Sequence, residues 1–122
     1  IRLYVFTAKE VSLYDPKTHS LTQVAKGDHR GIVAANQPFS KEAPVSLLMV
    51  ADMDKFGSKG EHAQAMVAVD TGIVTENINL FCSAAGLATV TRGTMDSKAI
   101  SALLGLTENQ IPLINNPVGY LK

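Results

Sequence analysis

The sequence predicts an α+β fold, and three features carry that prediction. Short β-prone segments separated by turn signals open the chain. One apolar run of strand length follows near the middle, and after it comes a Pro-free stretch of about 25 residues with a helical pattern. Taken in order, Arg2–Phe6 is rich in β-branched and aromatic residues, Val11–Tyr14 alternates apolar and polar, and Leu21–Val24 resumes an extended pattern. Asp15-Pro16-Lys17-Thr18 marks a turn between the last two, because Pro presets the backbone for one. These three segments are expected to form a small antiparallel meander.

Gly27–Ala35 reads as a loop or as a short helix capped by Asp28, and Asn36-Gln37-Pro38 ends it, because the residue before Pro is pushed out of the helical region. Pro44 opens the next segment. Val45–Ala51 is almost continuously apolar, which suits a strand covered on both faces. Lys55–Gly60 is a polar, Gly-containing loop. Glu61–Ala85 is then predicted as a helix roughly 37 Å long. Its apolar residues, among them Ala63, Met66, Val67, Ile73, Val74, Leu80, Phe81 and Ala84, cover most of its circumference, so it belongs inside a structure or between subunits. Gly86 is placed to stop it. Leu87–Thr91 is short and β-prone, Arg92-Gly93-Thr94 is a turn, and Asp96 caps a second helix over Ser97–Leu104 that ends at Gly105. Glu108–Pro112 is a connector. Leu113-Ile114 and Val118–Tyr120 make a last extended segment, broken by Asn115-Asn116-Pro117.

Composition narrows the function. The 122 residues carry 11 basic and 11 acidic side chains, so a general nucleic-acid binder, which needs a cationic surplus, is disfavoured. With 46 % apolar and 18 % charged residues the chain has material for a core and lacks the signature of disorder. One cysteine, Cys82, excludes a disulfide framework and multi-cysteine zinc sites, and it points to a reducing, cytoplasmic setting. No apolar run approaches the roughly 20 residues that span a bilayer.

Few side chains announce chemistry. Of the histidines at 19, 29 and 62, His19 and His62 lack partners at metal-ligand spacing, and in Asp28-His29-Arg30 the histidine suits a general acid or base near neutral pH, although the segment reads better as a solvated turn in which Asp28 offsets Arg30. Cys82 lies among small apolar residues and reads as core rather than nucleophile. No Gly-x-Ser-x-Gly elbow and no Gly-rich phosphate loop is present. The long helix is more informative. Asp70, Glu76, Asn77, Asn79 and Ser83 are too many polar groups to bury unpartnered, and they are expected to meet solvent or a partner helix. Ala68 and Gly72 are small and four residues apart. A mid-helix Gly costs about 1 kcal/mol relative to Ala, a cost that close approach of a second backbone would offset.

The run Ala84-Ala85-Gly86-Leu87-Ala88-Thr89-Val90 after a long helix, then Thr91-Arg92-Gly93, then Leu103-Leu104-Gly105-Leu106 and Pro117-Val118-Gly119-Tyr120, resembles the C-terminal half of the nitroreductase family. Ser12-Leu13-Tyr14-Asp15, Gly27-Asp28-His29-Arg30 and Ala43-Pro44-Val45 are similar to its compact, azoline-dehydrogenase-like branch. The resemblance implies an α+β homodimer with a mixed or antiparallel sheet, a long central helix and FMN at the subunit interface. It implies that backbone N–H groups at Thr91, Arg92, Gly93 and Thr94 face the N5/O4 edge of the flavin, with Lys122 near its phosphate. The family's Arg-x-Ser-x-Arg phosphate motif has no match, since Arg2 stands alone. Residues 1–122 are therefore expected to be one domain, the C-terminal portion of such a protein.

The expected activity is that of an FMN-dependent oxidoreductase passing electrons from NADH or NADPH to a nitroaromatic, a quinone or a similar acceptor. In that case no catalytic side chain is needed and no metal is expected, because the cofactor carries the chemistry. The alternative is a non-catalytic dimerisation or small-ligand-binding module of the same fold. The two differ in colour, since only a flavoprotein is yellow.

Overall fold

The computed structural model describes residues 1–57 and 59–122. Of the loop expected at Lys55–Gly60, Ser58 lies outside the described residues. The elements run β1 (Arg2–Phe6), β2 (Glu10–Asp15), β3 (Ser20–Lys26), α1 (Arg30–Ala34), α2 (Pro38–Lys41), β4 (Val45–Asp52), α3 (Glu61–Ala85), β5 (Leu87–Thr89), α4 (Ser97–Leu104) and β6 (Gln110–Tyr120). The strands form one sheet in the order β3-β2-β1-β4-β6-β5, and every neighbouring pair is antiparallel. The meander, the long helix and its Gly86 stop, and the capped second helix all stand where the sequence places them.

Side-chain alternation along the central strands sends successive residues to opposite faces. On one face Tyr4, Phe6, Val11, Leu48 and Val50 pack with Val33 of α1 and Ile100 of α4. Phe6, Leu48, Val50 and Ile100 are fully buried, each contributing about 1.5–3 kcal/mol. On the other face Ala51 and Met53 meet Ala63 and Val67 of α3. The stripe of α3 buried within the chain is narrow: Ala63, Val67, Thr71, Thr75 and Cys82. Gly86, at φ 73°, closes the helix in the left-handed conformation that glycine adopts freely. Asp96 caps α4 by accepting from the Ala99 N–H at 3.1 Å.

Three expectations differ from the structure, the first being the connector expected at Glu108–Pro112, which is strand from Gln110 onward and pairs with β4. Asn115-Asn116-Pro117 does not break the last strand, because β6 runs unbroken for 11 residues. Pro117 is tolerated since its missing N–H falls where β5 has already ended. Thr89 pairs with Val118, and the next contact on that side is the isolated bridge of Arg92 with Asn115. Pro112 sits beside a register shift opposite Met49/Val50, which also excuses its lost donor. Asp28 does not cap α1. His29 occupies the cap position without a side-chain bond. Asp28 Oδ1 instead accepts from the backbone N–H of Arg30 at 3.2 Å, and its carboxylate pairs with that residue's guanidinium.

Candidate functional site

The predicted turn, residues 91–94, follows β5 and is tied down from three sides. Arg92 exchanges two backbone hydrogen bonds with Asn115, each 2.8 Å. Asn115 Nδ2 donates to the Thr94 carbonyl at 3.0 Å. Thr91 Oγ1 is held by α3. The Arg92 N–H is thereby engaged, which removes it from the set of donors expected to face a ligand. The N–H groups of Thr91, Gly93 and Thr94 have no acceptor among the described residues, and these three residues are exposed. A Cβ built at Gly93 meets nothing within 4 Å.

A closed chain of side-chain hydrogen bonds fixes Thr91. Asn79 Nδ2 donates to Thr91 Oγ1 at 3.1 Å, and Thr75 Oγ1 donates to Asn116 Oδ1 at 2.6 Å. The proton of Thr75 being engaged there, its 2.7 Å contact with Thr91 must run from Thr91 to Thr75. Asn116 Nδ2 returns to Asn79 Oδ1 at 3.0 Å. The same amide reaches Thr89 Oγ1 at 3.2 Å, and Thr89 donates to the Pro117 carbonyl at 2.7 Å. Helix α3, strand β6 and the turn are thus locked into one register. Asn115 and Asn116 are both fully buried and neighbours on a strand, so one serves the turn and the other serves the helix. Neither was singled out from sequence. Two adjacent asparagines inside a strand-like run were the available signal.

Arg92 is 6 % exposed. Its Nε donates to Gln37 Oε1 at 2.8 Å, and its terminal nitrogens donate to the carbonyls of Val33 (3.1 Å) and Ala34 (2.9 Å) and to Asn115 Oδ1 (2.6 Å). The guanidinium stands 5.8 Å from the centre of the Phe39 ring. Burial pushes its pKa down from the ordinary arginine value.

Lys122 lies elsewhere. With Phe39, Pro44, Val90, Pro117 and Tyr120 it lines a mainly apolar groove of about 620 Å³. The turn adjoins this groove in sequence through Val90, but residues 91–94 do not line it. His29, His19 and Cys82 take structural roles. His29 Nε2 bonds the Lys26 carbonyl at 2.7 Å, and His19 Nδ1 bonds the Tyr14 hydroxyl at 2.9 Å. Cys82 is buried and its thiol pKa is pushed up by burial, as befits a core residue. Among the described residues no cluster of His, Cys, Asp or Glu could hold a metal ion, and no helix is long and apolar enough to cross a membrane.

The family profile described as Nitroreductase family matches residues 1–120. A relative from Methanocaldococcus jannaschii, provisionally named a nitroreductase, is 28 % identical over 98 % of this chain and 61 % of its own length. A crystal structure from Ralstonia eutropha under a similarly provisional nitroreductase name superimposes with TM-score 0.89 at 26 % identity, covering 99 % of this chain and 58 % of that one. The Escherichia coli microcin synthetase McbBCD complex shares the fold, with TM-score 0.85 at 16 % identity over 99 % of this chain and 52 % of that one. The NADPH:FMN oxidoreductase of Vibrio harveyi, solved with NAD+, matches with TM-score 0.64 at 26 % identity over 71 % of this chain and 42 % of that one. The chain thus spans about three fifths of the first relatives it matches. With the family profile covering nearly its whole length and the same α+β architecture in its neighbours, the chain belongs to the Nitroreductase family.

Proposed function

We propose that this chain forms the flavin-facing part of an FMN-dependent oxidoreductase that works as a homodimer. The observation that carries the reading is the turn. The side chains of Thr91 and Arg92 and the Arg92 N–H are tied inward, while the N–H groups of Gly93 and Thr94 keep no acceptor among the described residues. Fixed donors of this kind suit the polar edge of a flat, otherwise apolar ring system. The open space at Gly93 would admit such a ring. Arg92, Gly93 and Thr94 therefore divide the work: Arg92 anchors, and Gly93 and Thr94 donate, with Thr91 N–H beside them. Lys122, in the groove with Tyr120, would offer positive charge to the phosphate end.

The chemistry that FMN supplies when bound is acceptance of a hydride from NADH or NADPH and passage of the two electrons to an acceptor such as a nitroaromatic or a quinone. This chain's residues would orient the ring edge and keep the donors from relaxing. The NADPH:FMN relative supports this reading, as does the outer face of α3. Met66, Val69, Ile73, Leu80 and Phe81 stand exposed there, where a second copy would cover them. The free, buried Cys82 is compatible with a reducing, cytoplasmic setting.

The test is direct. The full polypeptide is purified and titrated with FMN while flavin fluorescence and visible absorbance are followed. A yellow preparation, or saturable quenching on titration, is expected. A colourless protein that leaves flavin fluorescence unchanged would overturn the proposal in favour of a binding or dimerisation module without flavin.

A further inference from the structure

Arg92 differs from the two other arginines. Arg2 pairs with Asp52 at 3.3 Å and Arg30 with Asp28 at 2.7 Å, whereas no carboxylate pairs with Arg92 among the described residues. Four neutral oxygens receive its N–H groups: two carbonyls near the end of α1, one amide of Gln37 and one of Asn115. Neutral oxygens solvate a guanidinium but leave its charge uncancelled, and arginine stays protonated in protein environments. Burying an ion away from water without a counter-ion is costly even after the surroundings relax. Joining α1 to the turn does not need a charge, since a neutral donor would serve. The residue that carries this charge belongs to the turn with the unengaged N–H groups, and its guanidinium reaches from there to the end of α1, beside Phe39, which lines the adjoining groove.

Hydride transfer carries two electrons and one proton. The nicotinamide donor gains a positive charge, and the accepting ring system gains a negative one. We propose that Arg92 supplies the uncompensated positive charge that favours the reduced, more negative form of the group bound at the turn. This rests on the flavin reading above and goes beyond it, because it assigns to one buried side chain the redox poise rather than the binding. Arg92 acts through space and touches no reacting atom.

Gln37→Glu isolates the charge. The new carboxylate still accepts from Arg92 Nε but cancels the cation. Gln37→Leu is its control, removing the bond and adding no charge. Midpoint potentials of bound FMN are measured by dye equilibration in the full polypeptide, with the affinity for oxidised FMN measured alongside. Gln37→Glu is expected to move the potential to more negative values. By the binding cycle, reduced FMN should then lose about tenfold more affinity than oxidised FMN. Gln37→Leu should leave the potential near that of the parent. FMN bound by Gln37→Glu at the parent potential overturns the assignment to Arg92 and leaves the flavin reading standing. Equal shifts in Gln37→Glu and Gln37→Leu also overturn it, since the effect is then structural. No FMN bound by the parent protein overturns both.

Discussion

Thr75 and Gly93 shape the proposed site in opposite ways, one by what it ties and the other by what it leaves open. Thr75 Oγ1 links Thr91 to Asn116 with bonds of 2.7 and 2.6 Å. Thr75→Val keeps the shape but leaves the buried Asn116 amide oxygen and the Thr91 hydroxyl short of partners. The expected loss is about 1–3 kcal/mol of unfolding free energy, read by urea denaturation, with FMN affinity falling as the turn loosens. At Gly93, by contrast, a Cβ meets nothing within the chain, so Gly93→Val should fold normally. In flavin fluorescence titration it should weaken FMN by about tenfold or more, while Cys82→Ala binds as the parent does. Equal affinities would remove Gly93 from the site. The turn was legible in sequence because a helix-stopping Gly, a β-prone triplet and a Gly turn succeed each other. The division of labour within it was not. Which N–H is engaged depends on the bridge from Arg92 to Asn115, 23 residues downstream, and no local pattern encodes that pairing. Asp28 offers a pH test. Its carboxyl is held at about 2, first by hydrogen bonding to the Arg30 side chain, against an ordinary value of 3.8. A lowered pKa stabilises the fold above the unfolded value, and that contribution is lost as pH falls from about 4 towards 2. Because the carboxylate is 41 % exposed the effect is small and salt-screened. Asp28→Asn should flatten this part of the acid-stability profile.

At the scale of elements, local chemistry explains most boundaries. Asp96 and Gly105 bracket α4, and the capping bond to Ala99 predicts that Asp96→Ala costs about 1 kcal/mol in thermal or urea unfolding. The left-handed Gly86 and the Pro-free run before it made α3 readable over its whole length. Strand β6 was not readable as one element. Its two asparagines and two prolines argue locally for a break, and tertiary contacts override them. Asn116 is pulled into the hydrogen-bonded ring with α3, Asn115 into the bridge with the turn, and each proline sits where a ladder bond is absent. Polar residues inside a strand thus marked the site rather than a loop. The short helix α2 escaped for a related reason. In sequence Pro38 marks a stop after α1, yet Pro also suits the first position of a new helix, where its missing N–H goes unused.

For the molecule as a whole, the decisive feature is which side of α3 the chain leaves uncovered. The inward stripe packs on the sheet. Met66, Val69, Ile73 and Leu80 recur at helical spacing on the outer side, 39–60 % exposed, with Phe81 at 67 %. That is an unusual amount of apolar surface for a helix with solvent as its only neighbour. Gly72 lies within this stretch, and a Cβ there meets nothing within 4 Å, so no packing inside the chain explains a mid-helix glycine. A symmetry-related copy of α3 crossing at Gly72, which flanks Val69 on the helix surface, would explain the glycine and cover the adjoining edge of the apolar surface. It would also place two copies of the turn's supporting helix in one interface. Gly72→Leu separates folding from association. The substitution raises helix propensity and puts its Cβ into open space in one protomer, so the melting of the isolated fold should not suffer. Two backbones could no longer approach, and the proposed dimer should dissociate at least about tenfold more readily, a loss of about 1.4 kcal/mol in association. Analytical ultracentrifugation across a concentration series reads this directly. A Gly72→Leu protein that stays dimeric at the parent's dissociation constant would show that α3 does not cross its copy at this glycine.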